Sequence, residues 1–375
     1  MKSADENAGS PSSASSGPSR RAMLVAGSLA AGLAVGSAAV ATRMGSPEAS
    51  TASNPSTPQI LMGAEPPQHI ALLALDAPEG RTTRRERGSA VADLAAALRE
   101  LHAPSTHAGL ALGSTLFTHA AHTPRMLKAM PSFPGDVLDP GHSHGDVLVQ
   151  LAADSRSDVA KTEENLARQL AGWQPRWRIT GFRAESRTQD GRGLAQNPFH
   201  FTEGFGNPNE QRAVDERALV RADQGEPPWA VGGTYQVVRI IRLATELWDK
   251  DSIQDQERII GRRRDGRWLD GTPVAERPNL AADPHGRHTP LDSHVRLAAP
   301  DPRNPPMLVR RSYSYDLGDG DVGLVFSCFQ RDLGAGFEAV QRRLAGESMA
   351  KYLLTTGGGY YFVPPTGDAW ISSAF

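Results

Sequence analysis

Apolar residues fall along this chain in short runs, each closed by glycine, proline or charge. The run HIALLALDA (His69 to Ala77) is bounded by Pro and Gly and reads as a buried strand. SAVADLAAALRELHA repeats its apolar positions at helical spacing and predicts a helix, with Ser89 placed to cap it. GLALGSTLF and GDVLVQLAA are again strand-like, DVAKTEENLARQLAG is helical, and RWRITGFRAE is a strand. The same order returns further on. GGTYQVVRIIRLA predicts a strand, SIQDQERIIGR a helix, RRSYSYDL and GLVFSCFQ two strands, FEAVQRRLAGESMAKYL a helix and GGYYFVP a last strand. Only the element order recurs, without a sequence repeat. It predicts an α+β fold of two ferredoxin-like domains of the dimeric α/β barrel type, each an antiparallel sheet with helices on one face. The divide is expected near Asn209 to Asp223, giving an N-terminal domain over 68–215 and a C-terminal one over 216–375. Two long irregular stretches, 186–228 and 262–306, interrupt this order, and loops of that length in a compact domain are usually functional.

The first part of the chain follows a different pattern. Between Arg21 and Arg43 lie 21 uncharged residues dominated by Ala, Gly, Val and Leu. That length is near the roughly 20 residues a spanning helix needs, so a membrane anchor is one reading. The many Ala and Gly make the run weakly apolar, however, and SRRAML resembles a twin-arginine export signal. Residues 1–42 are therefore expected to be an export signal, and the Ser-, Thr- and Pro-rich stretch 43–67 a disordered tether. A periplasmic or other extracytoplasmic location follows from that expectation. The twin-arginine route carries folded proteins, often with a cofactor installed.

Composition changes this picture little. The 375 residues are 39% hydrophobic and 22% charged, an ordinary globular balance, and the net charge of −2 gives no reason to expect nucleic acid as a partner. The single cysteine, Cys328, lies among apolar neighbours in GLVFSCFQ and is expected to be a buried, unreactive thiol.

Three groups sit in awkwardly apolar company. Glu203, in NPFHFTEGFGNP, is walled by aromatics and followed by two glycines; such an acid is excluded from a core unless paired or useful. His294 lies beside an apolar turn in PLDSHVRLAAP. Arg310 and Arg311 open the aromatic strand RRSYSY, where alternation turns one of the two inward. His142 and His144 in GHSHGD have metal-like spacing but no further ligand cluster. An acid, a histidine and an arginine together allow a haem site and equally a hydrolase-like constellation; no G-x-S-x-G elbow favours the latter. Tyr313, Tyr315, Trp229 and Trp248 have the chemistry to relay an oxidising hole, although such aromatics more often build core.

GSTLF, FPGDVLDPGHSHGDVLVQLAA, NPFHFTEGFGNP, WAVGGTYQVVRIIRLATELWD, LDSHVRLAAP, RRSYSYDLG, GLVFSCFQRDLGAGFEAVQRRLAGE and GGGYYFVPP, taken together and in order, resemble the dye-decolorising (DyP-type) peroxidases. The resemblance runs from about His69 to the C-terminus and is nearest to the twin-arginine-exported deferrochelatase/peroxidase branch. It implies haem b, held mainly by the C-terminal half, with His294 of the DSHxR motif as axial iron ligand and Glu347 as the carboxylate on its other nitrogen. Arg310 matches the distal arginine, and Glu203 stands where the family's G-x-x-D-G motif has aspartate, with His200 in place of its first glycine. Gly204, Phe205 and Gly206 are expected to pass close to the haem. So are Ala299, Pro300, Asp301 and Arg303, although AAPDPR departs from the family's usual ANPR. The implied partners are hydrogen peroxide, a small electron donor (a dye or phenol) and an iron-uptake permease, with the chain a homo-oligomer, commonly a dimer. The implied chemistry is proton transfer by a distal acid, with the arginine stabilising charge as the O–O bond breaks. Glu203 and His200 open two alternatives: altered peroxide chemistry, with His200 a further proton group, or retained haem binding with impaired catalysis. Iron release from haem is the other activity that the branch suggests.

Overall fold

The computed structural model describes residues 58–375 except 63–64, 102–104, 118, 171, 185–194 and 275, so the expected export signal and the tether as far as residue 57 lie outside the described residues. Among the described residues nine strands form: β1 (His69–Asp76), β2 (Thr106–Gly113), β3 (Val147–Ala153), β4 (Gln174–Phe182), β5 (Thr234–Leu243), β6 (Val309–Arg310), β7 (Tyr313–Asp316), β8 (Val322–Gln330) and β9 (Leu353–Val363). The helices are α1 (Arg84–Glu100), α2 (Arg156–Ala167), α3 (Gln211–Ala218), α4 (Thr245–Trp248), α5 (Ile253–Ile260), α6 (His294–Ala298), α7 (Ala339–Leu344) and α8 (Ile371–Ala374).

The first half orders its strands β4-β1-β3-β2 and the second β7-β8-β5-β9, all antiparallel, which is the ferredoxin-like arrangement twice. The halves join edge to edge through Leu112↔Phe362 and Gly113↔Tyr361 on one side and Phe182↔Ser314 on the other. Because β5 also pairs β8, the sheet closes into an eight-stranded barrel, with the short β6 continuing the line of β7. Closure removes the edges that each half alone would expose.

Closure also explains why the strands read as nearly unbroken apolar runs. Alternate residues of β1 separate into two cores: Ile70, Leu72 and Ala74 pack inside the barrel with Leu148, Ile179, Val238 and Tyr361, whereas Ala71 and Leu75 pack outside with Val91, Leu94 and Leu98 of α1. Both faces are buried, so neither can be polar. One polar exception ties the halves together inside: Gln150 of β3 and Gln236 of β5 exchange amide hydrogen bonds of 2.9 Å, and Gln236 also donates to Ser327.

Several sequence expectations shift. The helix expected to start at Ser89 starts at Arg84, because Thr83 and Glu86 form a reciprocal capping box; Ser89 lies within it. The single helix expected over FEAVQRRLAGESMAKYL is a π-helical turn (Gly334–Glu338) leading into α7, broken at Gly346 (φ +78°) and followed by a 3-10 segment. The expected divide at 215/216 falls within α3. Within the expected tether, Leu61 is fully buried in the barrel core and accepts a hydrogen bond from Arg311, so this part of the stretch is anchored.

The C-terminal half leaves its outer sheet face open. Arg239 and Ile241 of β5, Leu324 and Phe326 of β8, and Leu353 and Thr355 of β9 all line a cavity roofed by α6, α7 and residues 197–207 and 262–306.

Candidate functional site

His294 owes its position to contacts made on every side of α6, a five-residue helix too short to hold itself. Gly261, at φ +89°, ends α5, and a Cβ there would come within 2.7 Å of the Ser293 hydroxyl, so only glycine lets the two helices meet. Arg296 donates to the carbonyls of Thr289 (2.8 Å) and Asp283 (2.7 Å), and the Asp283 carboxylate in turn accepts from the N–H groups of Arg287, His288 and Thr289. From α7, Arg343 caps the far end by donating to the carbonyls of Leu297 (2.9 Å) and Ala298 (2.8 Å). The break at Gly346 turns the next residue, Glu347, back toward α6. Its buried carboxylate lies 2.7 Å from His294 Nδ1, which leaves Nε2 as the ring nitrogen available to a ligand.

A second wall of the same cavity is built from residues 197–207 and β6. Phe199 stacks on the buried Trp248 with ring centroids 4.4 Å apart, and Trp248 donates to the Phe199 carbonyl. Glu203 N donates to Ala195 O (2.7 Å) and Thr202 N to Arg264 O (3.0 Å), which fastens the loop at the acid and at the residue before it. Gly204 and Gly206, at φ +93° and +89°, carry the chain past Arg310. Asn207 clamps the Arg310 backbone through paired bonds of 2.8 and 3.0 Å, and the Arg310 guanidinium donates to Phe205 O at 2.5 Å. Burial pushes the Glu203 carboxyl above the usual glutamate range, offset in part by its hydrogen bond to Asn197 and by the charges of Arg310 and Arg183. Burial likewise pulls Arg310 below the usual guanidinium value, with Glu203 opposing.

His294, Glu347, Glu203, Gly204, Phe205, Gly206, Ala299 and Arg310 thus line one cavity of about 380 Å³. The other expected residues do not. His200 is exposed, with Nε2 3.1 Å from Asp249, and is not among the residues that line the cavity. Its φ of +68° explains the motif's glycine: the turn is left-handed, a conformation open to His at a cost of about 1–2 kcal/mol. His200→Gly is accordingly expected to leave stability within about 1 kcal/mol of the parent and turnover unchanged, while the β-branched His200→Val costs more; denaturant unfolding measures both. Pro300, Asp301 and Arg303 are exposed and point elsewhere. Asp301 takes the Arg303 guanidinium at 3.2 Å, and Pro302, Pro305 and Pro306 line the cavity instead.

The sequence reading missed Asn197, Arg183, Arg262, Arg263 and Arg277, all of which line the cavity. A signal was present in GRRRD, three arginines at the start of an irregular stretch of chain. Arg262 is buried between the rings of Trp268 (3.6 Å) and Phe205 (5.0 Å), and its pKa falls to about 9 through burial and then repulsion from Arg277 and Arg310. Six guanidiniums and three carboxylates line the cavity, of which Arg239 and Asp136 form a closed buried pair. The surplus positive charge calls for an anionic ligand. His142 is exposed and pairs with Asp139, Cys328 is fully buried, and Trp229, Trp248, Tyr313 and Tyr315 are all core residues.

A cavity this size suits a small-molecule cofactor. Its apolar floor, single carboxylate-backed imidazole and surplus guanidiniums fit a flat iron porphyrin with carboxylate substituents.

Comparison with known proteins agrees with this geometry. Residues 79–183 match the description "Dyp-type peroxidase, N-terminal" and residues 195–368 "Dyp-type peroxidase, C-terminal". A deferrochelatase from Yersinia pestis is 37% identical over 280 residues, covering 70% of this chain and 63% of that protein, so the chain spans about three fifths of its relative's length. The crystal structure of a DyP-type peroxidase from Cellulomonas bogoriensis is 30% identical, with a TM-score of 0.73, covering 83% of this chain and 93% of that one. A DyP-type peroxidase from Streptomyces coelicolor is 27% identical, with a TM-score of 0.74 and coverage of 84% and 92%. From the closed double-ferredoxin barrel, the site on its C-terminal half and these matches, it follows that the chain belongs to the DyP-type peroxidase family.

Proposed function

We propose that this protein is an exported haem b peroxidase that reduces hydrogen peroxide and oxidises small donors such as dyes and phenols. The observation that carries the reading is the His294–Glu347 pair, which lines the same cavity as Glu203 and Arg310. DyP-type peroxidases are haem proteins, and the haem supplies a redox-active iron at which the peroxide O–O bond is broken.

The chain's own residues would act as follows. His294 Nε2 would hold the iron, and Glu347, accepting from Nδ1–H, would fix the ring and raise its basicity as a ligand. Arg262, Arg263 and Arg277 supply the charge that haem carboxylates need. Ionised Glu203 would take a proton from one peroxide oxygen and return it to the other, and Arg310 would donate toward the negative charge that develops there. The base works only when ionised, so its step weakens as pH falls through a Glu203 pKa that lies above the ordinary carboxylate range. Glu347→Gln keeps the shape of the pair but weakens acceptance, and is expected to lower haem affinity about 10–100-fold in a haemin titration.

Export rests on SRRAML and the uncharged run behind it. A dimer and an iron-uptake permease as partner are carried over from the branch that the chain resembles. The relatives named deferrochelatase favour a second reading, release of iron from haem. Peroxide-dependent dye oxidation by the haem-loaded protein tests the first reading; recovery of intact iron-free porphyrin without such oxidation would replace it with the second.

A further inference from the structure

The turn Phe133-Pro134-Gly135-Asp136 belongs to the N-terminal half by sequence but is fixed to the sheet of the C-terminal half. It follows the type II pattern, with proline in second place and glycine, at φ +87°, in third, and Asp136 N donates to Phe133 O at 3.0 Å. Asp136 closes the turn a second time, its carboxylate accepting from Phe133 N at 2.9 Å. The same carboxylate takes both terminal nitrogens of the Arg239 guanidinium of β5, one of them at 3.0 Å, and Arg239 also donates to Thr355 Oγ1 of β9 at 2.8 Å. The guanidinium lies over the rings of Phe133 (5.2 Å) and Phe337 (5.9 Å), which meet each other edge-on at 5.7 Å. Just past the turn, Val137 N and Asp139 N donate to the carbonyls of Thr355 (3.0 Å) and Thr356 (2.8 Å). Breaking a buried pair of this kind is costly, so the turn is rigid.

The tip of the turn has a different setting. Pro134 and Gly135 are exposed to solvent and line the cavity at the same time, which places them at its rim. A Cβ on Gly135 would meet no atom within 4 Å: the glycine satisfies the φ of the turn, and the space before it is open. Gln341, four residues past Phe337, is half-exposed and lines the cavity as well. None of these three side chains is charged. Arg263 and Arg277, by contrast, are exposed lining residues that carry charge, and haem carboxylates would neutralise and fill that part of the rim.

We infer that the Pro134–Gly135 tip, with Gln341, is the rim at which the organic donor enters, and that it is suited to a neutral planar aromatic such as a phenol. The inference rests on the reading of the protein as a peroxidase. A rim fixed in advance by Asp136 and Arg239 needs no ordering when the donor arrives, and its open space sets the size that passes.

The test uses the haem-loaded protein and 4-fluorophenol. The 19F line of this probe broadens near ferric iron and gives a dissociation constant without any turnover. Gly135→Asn keeps the turn, because asparagine accepts the third-place φ, and puts a side chain into the open space. It is expected to raise the dissociation constant, and KM for 4-fluorophenol in peroxide-dependent turnover, by about 10-fold, with the thermal midpoint within a few degrees of the parent. Gln341→Trp should act in the same direction and serves if the asparagine variant does not fold. A dissociation constant unmoved in both variants, or no saturable broadening with the parent, overturns the rim. Saturable binding that both variants weaken, in a holoprotein that oxidises no donor, upholds the rim and overturns the peroxidase reading instead.

Discussion

Replacing His294 by alanine is expected to leave a folded chain that binds haem more than about 100-fold more weakly, because loss of even an outer partner of a metal-bound histidine costs 10–100-fold. The fold should survive. α6 is held by Arg296, Arg343 and the Gly261–Ser293 contact, none of which involves the imidazole, and His294 itself is only partly buried. Glu347 is the group most affected, because its buried carboxylate loses its partner. Far-UV circular dichroism of the variant beside a haemin titration separates lost ligation from lost folding. Added imidazole, entering the space left by the side chain, should restore part of the absorption. A variant that binds haemin like the parent would remove His294 from the ligand role.

The second large effect concerns the other wall. Glu203→Gln is expected to slow reaction with peroxide by about 10²–10⁴-fold, the range that a positioned proton-transfer group supplies. Arg310→Leu should cost about 10²–10³-fold, as loss of one donor to developing charge does. The two need not add, because each residue sets the electrostatics of the other: Glu203 opposes the depression of Arg310, and Arg310 opposes the elevation of Glu203. Glu203→Gln should also flatten the acid limb of the rate. Stopped-flow rates across pH measure both quantities. An unchanged rate in Glu203→Gln would mean that the extra methylene has already taken the acid out of the reaction.

How much of this was legible in the sequence differs from element to element. The barrel strands could be read because both their faces are buried, so runs such as LVQLAA and QVVRII carry a nearly continuous apolar signal, broken only by Gln150, Gln236 and Arg239. The start of α1 was misread at Ser89, although TRRE holds the capping-box spacing from Thr83 to Glu86; arginines in the first turn masked it. His294, Glu347, Glu203 and Arg310, which the structure brings to one cavity, stood out in the sequence as polar groups in apolar surroundings or through the family resemblance. Arg303, expected near the haem, is exposed and pairs with Asp301 two residues before it. Arg263 and Arg277 reach the cavity only because a long irregular segment folds over it, and no periodicity records where such a segment goes. His200 was misassigned because a residue's place in a motif does not tell on which side of a left-handed turn its side chain emerges.

The account as a whole stands on one porphyrin held by one imidazole. The most direct test is a titration of the purified chain with haemin, followed at the Soret band and repeated with selectively 15N-histidine-labelled protein under electron-nuclear resonance. The account predicts saturation at about one equivalent and a single histidine nitrogen coupled to iron, absent in His294→Ala. A chain that stays colourless, or one whose iron couples to nitrogen unchanged in that variant, would contradict it.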